Sequence, residues 1–482
     1  MTRSFEVLVI GAGASGIGAA IRLKRDGIDF AVLEKADSFG GTWRANTYPG
    51  CACDVPSALY SYSFAPNPLW SRAYGTQPEI RAYLTRTADE HGIAAHTRFG
   101  VEMTGAQWDP DAGRWRVETT DGQYDARFLV TASGPWNEPL VPEIPGLADF
   151  PGEVFHSARW NHGYDLTGKR VAVVGTGASA VQFVPEIAAR TARLHLFQRT
   201  AQWVLPKPDH RVSGFAQGLL RRFPLARRVV RAGQYAVLET LGVGFRVPRL
   251  MRLVQALGRA HLRLTVRDRA LRAKLTPDYT IGCKRLLFSN SYYQTLAKST
   301  VDVHACAVAE VRGSTVVGAD GDGAEVDAII FATGFHILDS PLRELVRDAH
   351  GRALDDHWKG SPQSYLGTVV SGFPNLFLLL GPNLGTGHSS AFAVLEAQLD
   401  YTLAAIAHAR AANWTSMRVR AEVQAAYNAD VQRALAGTVY NTGGCASYYF
   451  DANGRNSFSW PWSTSRLRSR VGAFDPRAFV AD

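Results

Sequence analysis

The 482-residue chain is short of cysteine, of long uncharged runs and of internal repetition, and each shortage removes a class of protein. Its five cysteines, Cys51, Cys53, Cys283, Cys306 and Cys445, are odd in number and none sits in Cys-x-x-Cys spacing. That speaks against a redox dithiol, a zinc knuckle and a disulfide scaffold, and reduced thiols in a cytoplasm are the expectation. No cluster of metal ligands is expected. The most apolar stretches, residues 376–380 and 392–412, are too short, or are broken by Glu396, Gln398 and Asp400, to cross a bilayer. Only four residues precede the apolar run at 5–10, so no secretory leader is expected. Without repeats or low-complexity tracts, a solenoid and a disordered chain are excluded.

What is there is an ordinary globular composition, 46% apolar and 20% charged, at a length that calls for two or three domains. The net charge of +9 concentrates in residues 221–274, where Arg221, Arg222, Arg227, Arg228, Arg231, Arg246, Arg249, Arg252, Arg259 and Arg263 stand among aliphatic residues. A solvated helical face is the expectation, with a peripheral contact to acidic lipid or nucleic acid as the alternative.

Chemistry enters with glycine. The apolar run at 5–10 reads as a buried strand and leads straight into Gly11-Ala-Gly13-Ala-Ser-Gly16 and a helical pattern. The backbone there must turn sharply, admit a pyrophosphate and pack helix on strand, which glycine permits, with alanine tolerated at the third position. The next strand, residues 30–33, ends in Glu34, at the distance where an acid meets ribose hydroxyls. The pattern recurs at residues 169–174 followed by Gly175-Thr-Gly177-Ala-Ser-Ala180, so two dinucleotide sites are expected. Its second strand ends in Arg199-Thr200 where the first unit has Glu34. A guanidinium there matches a 2′-phosphate and an acid would repel it, so the second nucleotide is expected to be NADPH.

Two further strands, at 128–134 and 328–335, end alike in Ala-Ser-Gly and Ala-Thr-Gly. They read as exit from and return to the first domain, with Pro135, Pro139, Pro142 and Pro145 punctuating the way out. The expected fold class is α/β: two Rossmann-like dinucleotide-binding domains, the NADPH domain (141–330, with a helical insertion at about 205–275) set into an FAD domain made of 1–140 and 331–482.

At this point the chain resembles, over essentially its whole length, the class B flavoprotein monooxygenases and within them the type I Baeyer–Villiger monooxygenases. One family signature reads Gly40-Gly41-Thr42-Trp43, Tyr48-Pro49-Gly50 and Asp54; the other reads Phe150, Gly152, His156 and Trp160, but is followed by Asn161 in place of Pro or Asp. Relatives that oxidise nitrogen and sulfur usually carry Tyr or Phe at the position of Trp160, so Trp160 favours carbonyl chemistry while Asn161 departs from it. On chain position alone, His156 and Trp160 read as a packed hinge between the domains. The resemblance further implies FAD against Gly41 and Trp43, Arg285 of Gly282-Cys283-Lys284-Arg285 at the flavin, and Lys284 near the NADPH phosphate. It also implies a closing flavin loop at Gly381-Pro382-Asn383, with Asn383 a cofactor contact, and a pocket wall from Tyr448, Tyr449 and residues 456–461.

In the reaction so implied, NADPH reduces FAD, oxygen adds to the flavin C4a position, and the resulting peroxide attacks a ketone as an anion to give an ester or lactone. A deprotonated peroxide needs a permanent positive neighbour and little water. Arg285 suits that role because its guanidinium stays charged at any working pH, and Asp54 would orient it. Asp54 read without the resemblance is equally a helix cap for the segment after it. A flavin-dependent N- or S-monooxygenase and a non-catalytic nucleotide-binding protein with a basic face are the alternatives. The partners expected are a small molecule, most simply a ketone, and O2, with no nucleic acid; the oligomeric state is not legible.

Overall fold

The computed structural model describes residues 3–481, so the outermost residues of the first and last segments lie outside it. The strands β1 (Arg3–Ile10), β2 (Phe30–Glu34), β3 (Thr97–Phe99), β4 (Met103–Asp109), β5 (Arg114–Thr119) and β6 (Gly122–Thr131) belong to one sheet. Val7, Leu8 and Val9 of β1 are fully buried in succession, the mark of a parallel strand covered on both faces. β1 pairs in parallel with β2 and β6, while β4, β5 and β6 form an antiparallel meander at one side. The strand Leu376–Leu378 returns from far along the chain to lie parallel beside the end of β6.

A second sheet is wholly parallel. It holds β7 (Glu153–His156), β8 (Arg170–Val174) and β9 (Arg193–Phe197), with Ala328–Phe331 between β7 and β8 and Val301–His304 outside β9. The chain thus leaves the first sheet after β6, builds the second from residues 153–331, and comes back.

The same device opens both crossovers. Gly11 and Gly175 both have φ +106°, where a side chain would be strained, and a Cβ on either would meet a carbonyl oxygen, of Ala132 at 2.7 Å and of Ala332 at 2.5 Å. Those alanines follow β6 and Ala328–Phe331, so the two like-ending strands each back a glycine turn. The third glycine positions differ for a physical reason. A Cβ on Gly16 would lie 1.8 Å from the Gly11 carbonyl oxygen, whereas Ala180 is accommodated fully buried. The outgoing and returning connections are zipped together: Pro139 bridges Phe335, Leu140 N donates to Gly334 O at 2.9 Å, and His336 N donates to Glu138 O at 2.9 Å.

The insertion is helical as expected, with helices Gly214–Arg222, Pro224–Arg246, Pro248–Thr265 and Arg269–Lys274. Its outer surface is not a purely charged one. Leu253 and Leu264 are 74% and 82% exposed beside the arginines, because the packed side is made largely of small or unusual positions, Gly242, Gly244, Phe245, Met251 and Gly258. Among the described residues no helix is long and apolar enough to cross a membrane.

Candidate active site

The first nucleotide turn is built against a second glycine pair. Gly41, at φ +50°, comes so close that a Cβ on it would lie 2.8 Å from the Gly13 Cα, and Gly40 N donates to Ala12 O at 3.1 Å. Glu34 is buried at the end of β2, accepting from Ala12 N at 2.6 Å and Ala36 N at 2.8 Å. Its carboxylate is thereby fixed beside the Gly11–Gly13 turn. Trp43 is buried, its indole N–H donating to the Tyr60 hydroxyl at 2.9 Å and its carbonyl accepting from Gln77. Asn383, at φ +58°, donates its amide to Asn456 O at 2.9 Å and Ser459 O at 3.2 Å, which leaves its Oδ1 buried with no partner. A turn with no room for side chains, a fixed acid and an orphaned amide oxygen fit an adenine dinucleotide and its flavin.

At the second turn, Gly175, Gly177 and Ala180 lead into the helix Ala178–Ile187, and Thr176 Oγ1 donates to Thr200 O at 3.1 Å. Arg199 is exposed and has no carboxylate partner among the described residues. Lys284 is half-buried over the Tyr279 ring, 5.2 Å from its centroid, and burial together with the Arg199 charge pushes its ammonium below the ordinary value. Two cations 85 positions apart in sequence therefore share one electrostatic environment, as a 2′-phosphate requires.

Tyr48-Pro49-Gly50 docks the loop before Asp54 onto the second turn's helix. The Tyr48 hydroxyl donates to Gln182 Oε1 at 3.1 Å, Gln182 Nε2 donates to Ala52 O at 3.0 Å, and a Cβ on Gly50 would meet Gln182 O at 2.8 Å. Asp54 then meets Arg285 in a two-point pair, with Nε to Oδ2 and Nη2 to Oδ1 both 2.7 Å. The helix-cap reading of Asp54 is thereby corrected, since both of its oxygens are committed to a guanidinium and only turns follow it. The Asp54 charge, opposed by burial, raises Arg285 well above its already high value. Burial pushes Asp54 up, but the Arg285 charge and hydrogen bonds outweigh it and hold the carboxyl below its usual range. The side chains of Arg285 and Asp54 remain 30% and 22% exposed.

Lys207 and Trp136 are side chains of the site that sequence reasoning missed. Lys207 adds its charge to the Asp54 environment and lies 5.1 Å from the Tyr74 ring centroid; a lone lysine between prolines gave no signal. Trp136 packs edge-on against Phe335, Tyr448 and Phe458 at 5.9, 5.7 and 6.3 Å, joining the outgoing connection to the aromatic wall beside Arg285.

The expectation of five reduced thiols is also corrected: Cys283 and Cys445 are disulfide-bonded, with Cα atoms 6.1 Å apart. The 162 residues between them hid the pairing from any spacing rule. The bond ties the Arg285 segment to the loop bearing Tyr448 and Tyr449, and Gly443 is needed because its Cβ would lie 2.5 Å from that of Cys283. Cys51, Cys53 and Cys306 remain free, and burial pushes the Cys51 thiol up to about 12, far from a nucleophilic thiolate. Among the described residues there is no metal-binding cluster.

His156 ends β7, its Nδ1 accepting from Ala158 N at 3.1 Å while Nε2 is buried without a partner. Burial, aided by the Arg159 charge, lowers it to about 4, so the ring is neutral. Trp160 packs on Phe155 and Phe183 at 5.1 and 5.2 Å. Asn161 substitutes hydrogen bonds for the family's residue, donating to Glu153 Oε1 at 2.7 Å and accepting from Gly163 N at 2.9 Å.

A profile described as pyridine nucleotide-disulphide oxidoreductase matches residues 8–223, a span that does not contain the Cys283–Cys445 bond. A protein of Streptomyces coelicolor named Baeyer-Villiger monooxygenase is 48% identical over 98% of this chain and 91% of its own length. One of the same name from Pseudomonas aeruginosa is 45% identical over 99% and 91%. Among solved structures, OTEMO in complex with FAD and NADP superposes with a TM-score of 0.90 at 26% identity, covering 100% of both chains. With both glycine turns and the whole length matched in this way, the chain belongs to the Baeyer–Villiger monooxygenase family.

Proposed function

We propose that this chain, an FAD- and NADPH-dependent monooxygenase, inserts an oxygen atom beside the carbonyl of a small apolar ketone to give an ester or lactone. The observation that carries the reading is the Arg285–Asp54 pair at 2.7 Å, a fixed positive group beside the rings of Tyr448 and Tyr449. We assign FAD to Gly11, Gly13, Gly16, Glu34, Gly41, Trp43 and Asn383, and NADPH to Gly175, Gly177, Ala180, Arg199, Thr200 and Lys284. We place the domain limits at 1–140, 141–330 and 331–482, a division supported by the antiparallel contact between residues 138–140 and 334–336.

When bound, the reduced flavin supplies the activated oxygen. The protein's part is then electrostatic and steric. Arg285 faces the negative charge that develops as oxygen attacks the carbonyl, and being fixed in advance it needs no reorganisation at that moment. Asp54 holds the guanidinium plane through both oxygens and partly offsets its charge, which makes it a positioning residue. Lys207 adds a second positive field. Trp136, Phe335, Tyr448 and Phe458 pack as an apolar wall beside Arg285, which lowers the amount of water on that side of the reacting oxygen. Arg199 and Lys284 recognise the nucleotide that delivers the reducing equivalents.

The experiment is incubation of the purified protein with NADPH, labelled oxygen and a panel of ketones, amines and sulfides, with products identified by mass. Label in esters or lactones is the expected result. Label only in amine or sulfide oxides would overturn the carbonyl reading.

A further inference from the structure

The helical insertion carries an outer surface that the active site does not use. Of the nineteen large apolar side chains exposed among the described residues, thirteen fall within residues 215–264, too concentrated to be the scattered exposure normal to a soluble surface. Phe215 is 84% exposed, Leu225 70%, Val229 62% and Val237 69%. On Pro224–Arg246, the solvent side from Val229 to Val243 runs through Ala232, Gly233, Ala236, Val237 and Thr240 without a charge. On Pro248–Thr265, Leu250, Leu253, Leu257 and Leu264 form one stripe at helical spacing. Arg252, Arg259 and Arg263 form a second stripe alongside it.

The inner side is already accounted for. Gly242 leaves room for the His388 ring, which a Cβ would meet at 2.6 Å; Gly258 sits against Trp203; and Phe245 stacks on Tyr440 at 5.2 Å. Arg231 turns inward to the carbonyls of Ala58 and Ser61, at 2.6 and 3.1 Å. Glu239, the one acid between residues 214 and 265, also turns inward, its Oε1 lying 3.1 Å from His388 Nε2. The outward surface is therefore apolar and basic with no carboxylate on it. Arg221, Arg222, Arg228, Arg249, Arg252 and Arg263 are exposed and have no acidic partner among the described residues.

We propose that this face docks on an anionic lipid bilayer, its apolar side chains entering the headgroup boundary and its unpaired arginines meeting lipid phosphates. The charge decides the occupant. A second copy of the chain would bring two uncompensated arginine sets together, which repel, whereas an anionic headgroup layer supplies the missing counter-charge. Nucleic acid would engage the arginines and leave the leucine stripe in water. An amphipathic helix lying in the interface plane needs both halves of this pattern, an apolar stripe and flanking cations. The docking does not depend on the ketone reading; if both hold, the same helix that meets the bilayer also contacts the loop just after Asp54, through Arg231.

The test is sedimentation of the purified full-length protein with vesicles of phosphatidylcholine alone or mixed with phosphatidylglycerol. Binding should be roughly tenfold or more stronger to the mixed vesicles and should weaken with salt. Leu253→Ser with Leu257→Ser, and separately Arg252→Glu with Arg263→Glu, should each lower it roughly tenfold, with flavin content and thermal melting unchanged. No sedimentation with either vesicle overturns the proposal. So does binding that survives the leucine changes, or a concentration-dependent dimer that those changes abolish.

Discussion

Arg285 and Asp54, 231 positions apart in the chain, close on each other through two hydrogen bonds of 2.7 Å, Nε to Oδ2 and Nη2 to Oδ1. The geometry fixes the guanidinium plane, which a single contact would leave free to rotate, and a lysine at 285 could not reproduce it.

Substitution at Arg199 and Lys284 tests the nucleotide contacts proposed for them. Arg199→Ala and Lys284→Ala should each weaken NADPH binding by about 1.5–3 kcal/mol, raising its Michaelis constant roughly 10- to 150-fold, while leaving NADH little changed. Steady-state kinetics with both nucleotides checks this, and an unmodified enzyme that uses them equally would refute the assignment.

At the first turn, Gly13 is the position where a methyl group harms binding more than folding. Its Cβ would lie 3.4 Å from the Gly41 Cα, which the backbone tolerates, but it would fill the approach to the turn. Gly13→Ala should therefore purify folded with most of its flavin absorbance lost. Gly16→Ala, whose Cβ would be 1.8 Å from the Gly11 carbonyl oxygen, should fail to fold normally.

These glycines were legible because their requirement is local: a turn, a strand before it and a helix after it lie within about twenty residues. The like-ending strands at Ala132 and Ala332 were legible for the same reason, and the structure adds that each backs a glycine turn. Asp54 with Arg285 was reached only through resemblance, since nothing near either residue announces the other. The Cys283–Cys445 bond was missed altogether, because pairing across 162 positions is a property of the fold and leaves no mark on spacing. The helical character of the insertion is plain in its sequence, but which of its faces packs inward depends on glycines at 242, 244 and 258, and a periodicity of leucine and arginine points the other way.

His156 makes stability depend on pH. Burial first, and the Arg159 charge second, hold its folded value at about 4 against an ordinary 6.5. The unfolded chain therefore takes up a proton at this residue before the folded one does. The stabilisation is fully present above pH 6.5 and is lost as pH falls from there towards 4, by about 3 kcal/mol at the lower limit. Denaturant unfolding between pH 7 and 4 should show the slope, and His156→Gln should flatten it. An equal slope in the variant would show that other groups carry the acid sensitivity.

Arg285 is proposed to act on oxygen transfer and not on flavin binding, and Arg285→Ala separates the two half-reactions. Flavin should stay bound, because Gly11, Gly13, Gly16 and Glu34 are untouched, and anaerobic bleaching by NADPH should persist. Ester formation from a ketone accepted by the unmodified enzyme should fall by roughly 10²–10³, with the oxygen consumed recovered as hydrogen peroxide. An Arg285→Ala enzyme that forms ester at near-normal rate would show that Arg285 is not the group that stabilises the transferred oxygen.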